Sequence, residues 1–203
     1  MKRLGILLSG RGSNFVAIAD AIAEGTLTGC EIAVVLSNVA DAPGIAVAQQ
    51  RGLATEVFVS KGVPRAEHDA AMVAALSRHN VDLVILAGYM RVLSPDFIRA
   101  FPDRILNIHP SLLPSFPGLH AQRQALEYGA KVAGCTVHFV DEAVDHGVII
   151  LQRVVPVDDS DDEQTLSAKI LAEEHSAYPE AIKRVTSGNF VIEDRRYRLR
   201  NGK

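Results

Sequence analysis

Asn107 and His109 stand two residues apart at the end of the apolar run Ile105-Leu106-Asn107-Ile108-His109, directly before Pro110. On an extended chain, side chains two apart share a face. The Asn offers an amide N–H and a C=O, and the His takes up or releases a proton near neutral pH. A carboxylate nearby would complete a set suited to acid catalysis. An ion-paired carboxylate raises a His pKa by about 1–3 units from a reference of about 6.5. An amide donor aimed at a developing oxyanion is worth on the order of a hundredfold or more in rate. The chain presents no strong nucleophile of its own. Ser111 lacks a G-x-S-x-G setting, and neither Cys30 nor Cys135 has a predictable base beside it. The chemistry expected is direct attack of one bound substrate on another, and spacing alone does not say which carboxylate meets His109.

Two further stretches have chemistry-bearing spacing. Ser9-Gly10-Arg11-Gly12-Ser13-Asn14 joins an apolar run to a helical pattern. There, backbone N–H groups and the helix dipole favour an anion. Phe15 stands where a dinucleotide fingerprint needs its third glycine, no acid follows the next strand at Ser37-Asn38, and the Lys-Ser/Thr pair of a P-loop is missing. A phosphate monoester site and a plain glycine turn both remain open on these residues. Gly88-Tyr89-Met90-Arg91-Val92-Leu93 is an apolar loop carrying one cation. The histidines at 109, 120, 138 and 146 contain no tight ligand pair such as HExxH, so no metal is expected.

The elements that must position these groups alternate. Strands are expected at the apolar runs Leu4–Leu8, Ile32–Leu36 and Leu83–Ala87, at the strand-like Thr55–Val59, and at Ile105–His109, a buried run that ends on two polar side chains. Helices are expected from Phe15 to Glu24, Pro43 to Gln50, Pro64 to Arg78 (with Met72, Val73 and Leu76 buried) and Asp96 to Phe101 behind a Ser94 cap. That alternation predicts an α/β fold, a doubly wound and mostly parallel sheet that binds ligands beyond the carboxyl ends of its strands. The Gly10–Asn14 loop, the Gly88–Leu93 loop and His109 all fall at such ends. After Pro110, Pro114 and Pro117, the pattern predicts a short helix at His120–Tyr128. It then predicts two strands pairing antiparallel, Ala133–Val140, which alternates with Cys135, Val137 and Phe139 opposing Thr136, His138 and Val140, and Val148–Val155, and a long final helix to Ser187, bent at Pro179. The acidic cluster Asp158–Glu163 suits that helix's N-terminus, and the basic tail Arg195–Arg200 suits a solvated strand.

With 203 residues the chain is expected to form one domain, residues 1–203. A net charge of −3 and no long basic run argue against a nucleic-acid or anionic-membrane partner. Two cysteines outside any CxxC pair suggest buried free thiols, and no stretch is long enough to span a bilayer. Met1–Leu8 has a basic start and an apolar run too short for a secretion signal, so a cytoplasmic location is expected.

Asn107-Ile108-His109-Pro110-Ser111-Leu112-Leu113-Pro114, followed by Phe116-Pro117-Gly118-Leu119-His120, resembles the signature of the folate-dependent formyltransferases. The Ser9–Asn14 and Ala87–Ser94 motifs, Val137-His138-Phe139-Val140 through Asp145 and Gly147, and Glu174-His175 before Tyr178-Pro179 extend the likeness from residue 4 to about 180. The resemblance implies a Rossmann-like formyltransferase fold, with a nucleotide-binding half (about 1–105) and a catalytic, folate-binding half (about 106–203). It implies one-carbon transfer from 10-formyltetrahydrofolate to the amine of glycinamide ribonucleotide in purine biosynthesis, without a metal, by a monomer or homodimer. Carried over, Asn107 stabilises the oxyanion, His109 is the general acid, and Asp145 raises the His109 pKa. Gly12, Ser13 and Asn14 take the substrate phosphate, and Glu174 lies on the amine side. Arg65, Met90, Arg91, Val92, Leu93, Asn107, Val140 and Asp141 hold the folate. Two departures stand out: Ser115, where relatives often carry a basic residue, and His146, where a glycine is usual. Relatives that deformylate the folate or formylate a charged tRNA usually carry a further domain, which this chain is not expected to hold.

Overall fold

A computed structural model describes residues 1–200. The chain divides into two compact units, Met1–Asn107 and Ile108–Lys203. The first unit alternates strictly: β1 (Lys2–Leu8), α1 (Ser13–Ala23), β2 (Cys30–Ser37), α2 (Pro43–Gln50), β3 (Thr55–Val57), α3 (Arg65–Arg78), β4 (Leu83–Leu86), α4 (Pro95–Ala100) and most of β5 (Ile105–His109). Its strand pairs are all parallel, with Leu7 opposite both Leu36 and Leu86, and Leu86 opposite Asn107. Strands buried on both faces need apolar side chains at every position, which is why they read as unbroken runs. Leu4, Ile6, Leu7 and Leu8 are all fully buried, as are Phe15 and Ile18 of α1.

The second unit holds α5 (Ala121–Tyr128), β6 (Val132–Phe139), β7 (Ile149–Pro156), α6 (Glu163–Thr186) and a hairpin of β8 (Phe190–Glu193) and β9 (Arg196–Leu199). β6 and β7 pair antiparallel. The main sheet has the order β3-β2-β1-β4-β5-β6-β7. It is the mostly parallel, doubly wound sheet with an antiparallel end that the alternation predicted. Among the described residues, no helix is long and apolar enough to cross a membrane.

Three local expectations need correction. β3 stops at Val57 rather than Val59, because it pairs only with Val35–Ser37, where β2 itself ends. On α3, Val73 is only half-buried, and the buried positions include His68 and Asp69. Those polar groups are satisfied inside. His68 Nε2 pairs with the Phe58 carbonyl at 2.7 Å, and Asp69 accepts from the Ser94 amide at 2.6 Å. On β6 the alternation separates no solvent face, since every residue from Ala133 to Phe139 is buried. The acidic cluster has a local account. Asp162 caps α6 in a capping box with Thr165, and Lys169 bridges Asp158 and Asp161 at 2.6 and 2.7 Å.

Candidate active site

The first unit brings two loops to the carboxyl ends of its strands. After β1, Gly12 adopts the left-handed conformation at φ 69° and caps α1, so Ser13 and Asn14 stand in the first turn of the helix, where backbone N–H groups point outward along its axis. A Cβ at Gly12 would also stand 3.0 Å from Leu8 Cδ2, so glycine suits both the turn and the packing. After β4, the Gly88–Leu93 loop leaves Met90 and Val92 exposed, at 75% and 53%, while Leu93 is buried. Exposed apolar side chains on a loop suit a ligand better than a core. The Arg91 guanidinium is spent inside the protein, donating to the carbonyls of Ser60 at 3.0 Å and Val63 at 3.3 Å. Arg65 is exposed in the first turn of α3, and Asn107 is half-buried near the end of β5.

The second unit supplies the titratable pair. His109 is 5% exposed, and its Nδ1 lies 3.3 Å from Asp145 Oδ2. Its Nε2 lies 2.9 Å from the Phe116 carbonyl oxygen. Both ring nitrogens therefore face acceptors, and only the imidazolium donates to two at once. The carboxylate that sequence spacing left unassigned is Asp145, on the loop between β6 and β7.

Asp145 is held from several sides. Its backbone is left-handed at φ 52°, an uncommon state for a residue with a Cβ. Oδ2 also accepts from the Gly118 amide at 2.8 Å, on the loop that follows the proline-locked segment. Gly147 closes the loop where any Cβ would sit 1.8 Å from the Phe139 carbonyl oxygen. His138 Nε2 is 3.9 Å from Asp145 Oδ1, within ion-pair range. Burial, however, pushes the His138 pKa down, and its Nδ1–H donates to the Phe139 carbonyl at 2.7 Å. His138 is thus a neutral ring beside the carboxylate, not a second counter-cation.

The loop from Ser111 to Gly118 is braced from β6 and β7. Thr136 Oγ1 donates to the Ser111 carbonyl at 2.6 Å and accepts from the Leu113 amide at 3.0 Å. Gln152 donates to the Leu113 carbonyl at 2.9 Å. The Leu113–Pro114 peptide bond is cis. Glu174 is buried on α6. Near it, burial first and the Glu174 charge second push the Cys135 thiol up to about 12, so it holds its proton at neutral pH. Burial raises Cys30 as well. Val140 and Asp141 open the β6–β7 loop, half-buried. His120 is exposed, as is the departure His146, while Ser115 is exposed on the proline loop. Among the described residues, no group of three or more His, Cys, Asp or Glu side chains could hold a metal ion.

Sequence reasoning named the pair and both loops, but not the partners that orient them: the Phe116 carbonyl, the Gly118 amide, Thr136 and Gln152. Backbone partners carry no residue signature. Thr136 and Gln152, polar residues in mostly apolar strands, were the signals available.

Comparison with known proteins fits this geometry. The family model described as "Formyl transferase" matches residues 2–182. Phosphoribosylglycinamide formyltransferase of Escherichia coli (strain K12) is 41% identical over 190 residues, covering 93% of this chain and 89% of that protein. The trifunctional purine biosynthetic protein adenosine-3 of Drosophila pseudoobscura pseudoobscura is 46% identical over 191 residues, of which this chain spans 14% of the length. The crystal structure of glycinamide ribonucleotide transformylase 1 from Symbiobacterium toebii superposes with a TM-score of 0.96 at 51% identity, covering 99% of this chain and 95% of that one. The chain belongs to the formyl transferase family of enzymes.

Proposed function

We propose that the chain transfers a formyl group from 10-formyltetrahydrofolate to the amine of 5-phosphoribosylglycinamide, a step of de novo purine biosynthesis in the cytoplasm. The family and the names of the full-length relatives support the reaction. The observation that carries the mechanism is the buried His109–Asp145 pair at 3.3 Å, with both imidazole nitrogens facing acceptors.

The substrate amine attacks the formyl carbon, and the carbonyl electron pair moves onto oxygen. The Asn107 amide and the His109 imidazolium stabilise that oxyanion. The oxyanion then re-forms the carbonyl as the bond to the folate nitrogen breaks and a proton reaches that nitrogen, from His109 directly or through a water, while the former amine passes its extra proton to His109 or to water, which restores the imidazolium. Asp145 stays ionised and balances the imidazolium. Nε2–H is engaged by the Phe116 carbonyl, so transfer from that nitrogen requires the carbonyl to yield its place to the acceptor or to a water. No step of this reading uses a metal.

Gly12, Ser13 and Asn14 take the phosphate on the N-terminus of α1, and Glu174 serves the amine side. Arg65, Met90, Val92, Leu93, Asn107, Val140 and Asp141 hold the folate. Arg91 contributes through its backbone, since its guanidinium is already committed. In this reading residues 1–203 act as one formyltransferase domain, with the nucleotide taken by about the first 105.

The test follows folate product by absorbance with and without glycinamide ribonucleotide. Product only in the presence of acceptor is expected. Equal turnover without it would replace this reading with a folate deformylase. Loss of activity in chelator would point to a metal-dependent hydrolase.

A further inference from the structure

Ser9 opens the glycine loop after β1 and Asn38 follows the end of β2, yet the proposed reaction assigns neither a role. In the first unit they form a hydrogen-bonded hub. Ser9 Oγ donates to Asn38 Oδ1 at 2.6 Å and accepts from the Met90 amide at 2.8 Å. The Ser9 amide donates to the Gly88 carbonyl at 3.0 Å. Asn38 is 8% exposed, and its Nδ2 donates to Ser60 Oγ at 3.1 Å. The Ser60 amide returns a bond to the Asn38 carbonyl at 3.1 Å, and the Ser60 carbonyl accepts from Arg91 at 3.0 Å. Four segments, following β1, β2, β3 and β4, are thus tied together, and two bonds from Ser9 and one from Ser60 end on the Gly88–Leu93 loop.

We propose that Ser9 and Asn38 are positioning residues for the formyl-donor site, setting the Met90–Leu93 loop from the end of β1. The inference rests on the reading that this loop holds the folate. Both hub side chains are committed to protein partners. Met90 and Val92 expose most of their apolar surface and have few packing contacts of their own to fix the loop. The bond that the Met90 amide donates to the Ser9 hydroxyl oxygen holds that loop at the residue expected to meet the ligand. The Gly10–Asn14 loop has a separate anchor, since the Gly44 amide donates to the Gly10 carbonyl at 3.0 Å. Removing the Ser9 hydroxyl therefore disturbs the donor loop and leaves the phosphate loop in place.

The experiment measures KM for 10-formyltetrahydrofolate and for glycinamide ribonucleotide separately, in wild type, Ser9→Ala, Ser9→Thr and Asn38→Ala, with thermal melting as a check on folding. A lost hydrogen bond predicts a rise of about threefold to tenfold in KM for the donor in Ser9→Ala and Asn38→Ala. KM for the acceptor is expected to stay within about twofold, and Ser9→Thr, which keeps the hydroxyl, to recover most of the donor affinity. Because both variants break one network, the double variant is expected to cost less than the product of the singles. If Ser9→Ala fails to fold, Asn38→Ala and Ser9→Thr carry the comparison. Unchanged donor KM, or equal rises for both substrates, overturns the hub while leaving the reaction standing. A wild-type chain that transfers no formyl group overturns both.

Discussion

At the scale of single residues, His109 is placed so that one ring serves two acceptors, and that sets what its loss should do. In the proposed mechanism, His109→Ala removes both the proton donor and the group that stabilises the oxyanion. General acid catalysis of this kind contributes about 10²–10⁴ in rate, so kcat is expected to fall by that order while circular dichroism stays native. Asp145→Ala strips the counter-charge and the acceptor of the Gly118 amide, and a loss on the order of a hundredfold is expected. Steady-state rates within a few-fold of wild type for either variant would remove these residues from the mechanism. The types and spacing of Asn107 and His109 were legible because a strand end has only one geometry. The identity of the carboxylate was not, since Asp145 lies 36 residues beyond His109. Only the family resemblance named it in advance.

At the scale of elements, the β6–β7 loop that carries Asp145 is held on itself and on the C-terminal hairpin. His146 Nδ1 pairs with Asp141 Oδ2 at 2.9 Å, and the Ala143 amide donates to Asp141 Oδ1 at 3.0 Å. Arg195, in the turn between β8 and β9, donates to the His146 carbonyl and lies against the ring, 3.2 Å from Nε2. The hairpin is itself stacked on β6, with ring centroids 6.1 Å apart for Phe139–Phe190 and 4.9 Å for Phe190–Tyr197. The hairpin side of this clip lies beyond residue 182, where the family match ends. Exposed charge contacts are worth about 0–1 kcal/mol, so Arg195→Ala is expected to leave the melting temperature nearly unchanged. Hydrogen exchange over residues 141–147 is expected to rise by up to about fivefold, the same energy read locally. Unaltered exchange there would show that the loop holds its shape without the hairpin. The short basic tail read correctly as a strand, but its use as a clip was invisible, because Arg195 and His146 are 49 positions apart.

At the scale of the whole molecule, the pH dependence of stability reports on the buried histidines. Burial depresses both His138 and His175. A histidine depressed in the folded state is neutral there while the unfolded chain, with a pKa of about 6.5, takes up protons. Its contribution is intact above that value and is lost as pH falls, by at most about 1.4 kcal/mol per pH unit for each ring. His138→Gln does not titrate. The stability advantage of wild type over this variant, from urea unfolding, is therefore expected to shrink between pH 7.5 and pH 5.5. A constant difference would mean that His138 stays accessible to protons in the native state.

The sequence by itself determined the order and kind of the elements, from β1 to the long α6. Strands buried on both faces must be apolar throughout, and helix caps such as Ser94-Pro95 are local signals. It also determined which strand ends carry polar or glycine-rich groups. The tertiary structure decided the rest: that His109 faces Asp145 and Phe116, that Arg91 is committed to carbonyls, that β6 buries both faces, and that Ser9 and Asn38 join four segments. Each of these is a meeting of groups distant along the chain, often through backbone atoms that every residue shares. Periodicity records which side a residue faces, not what stands opposite it.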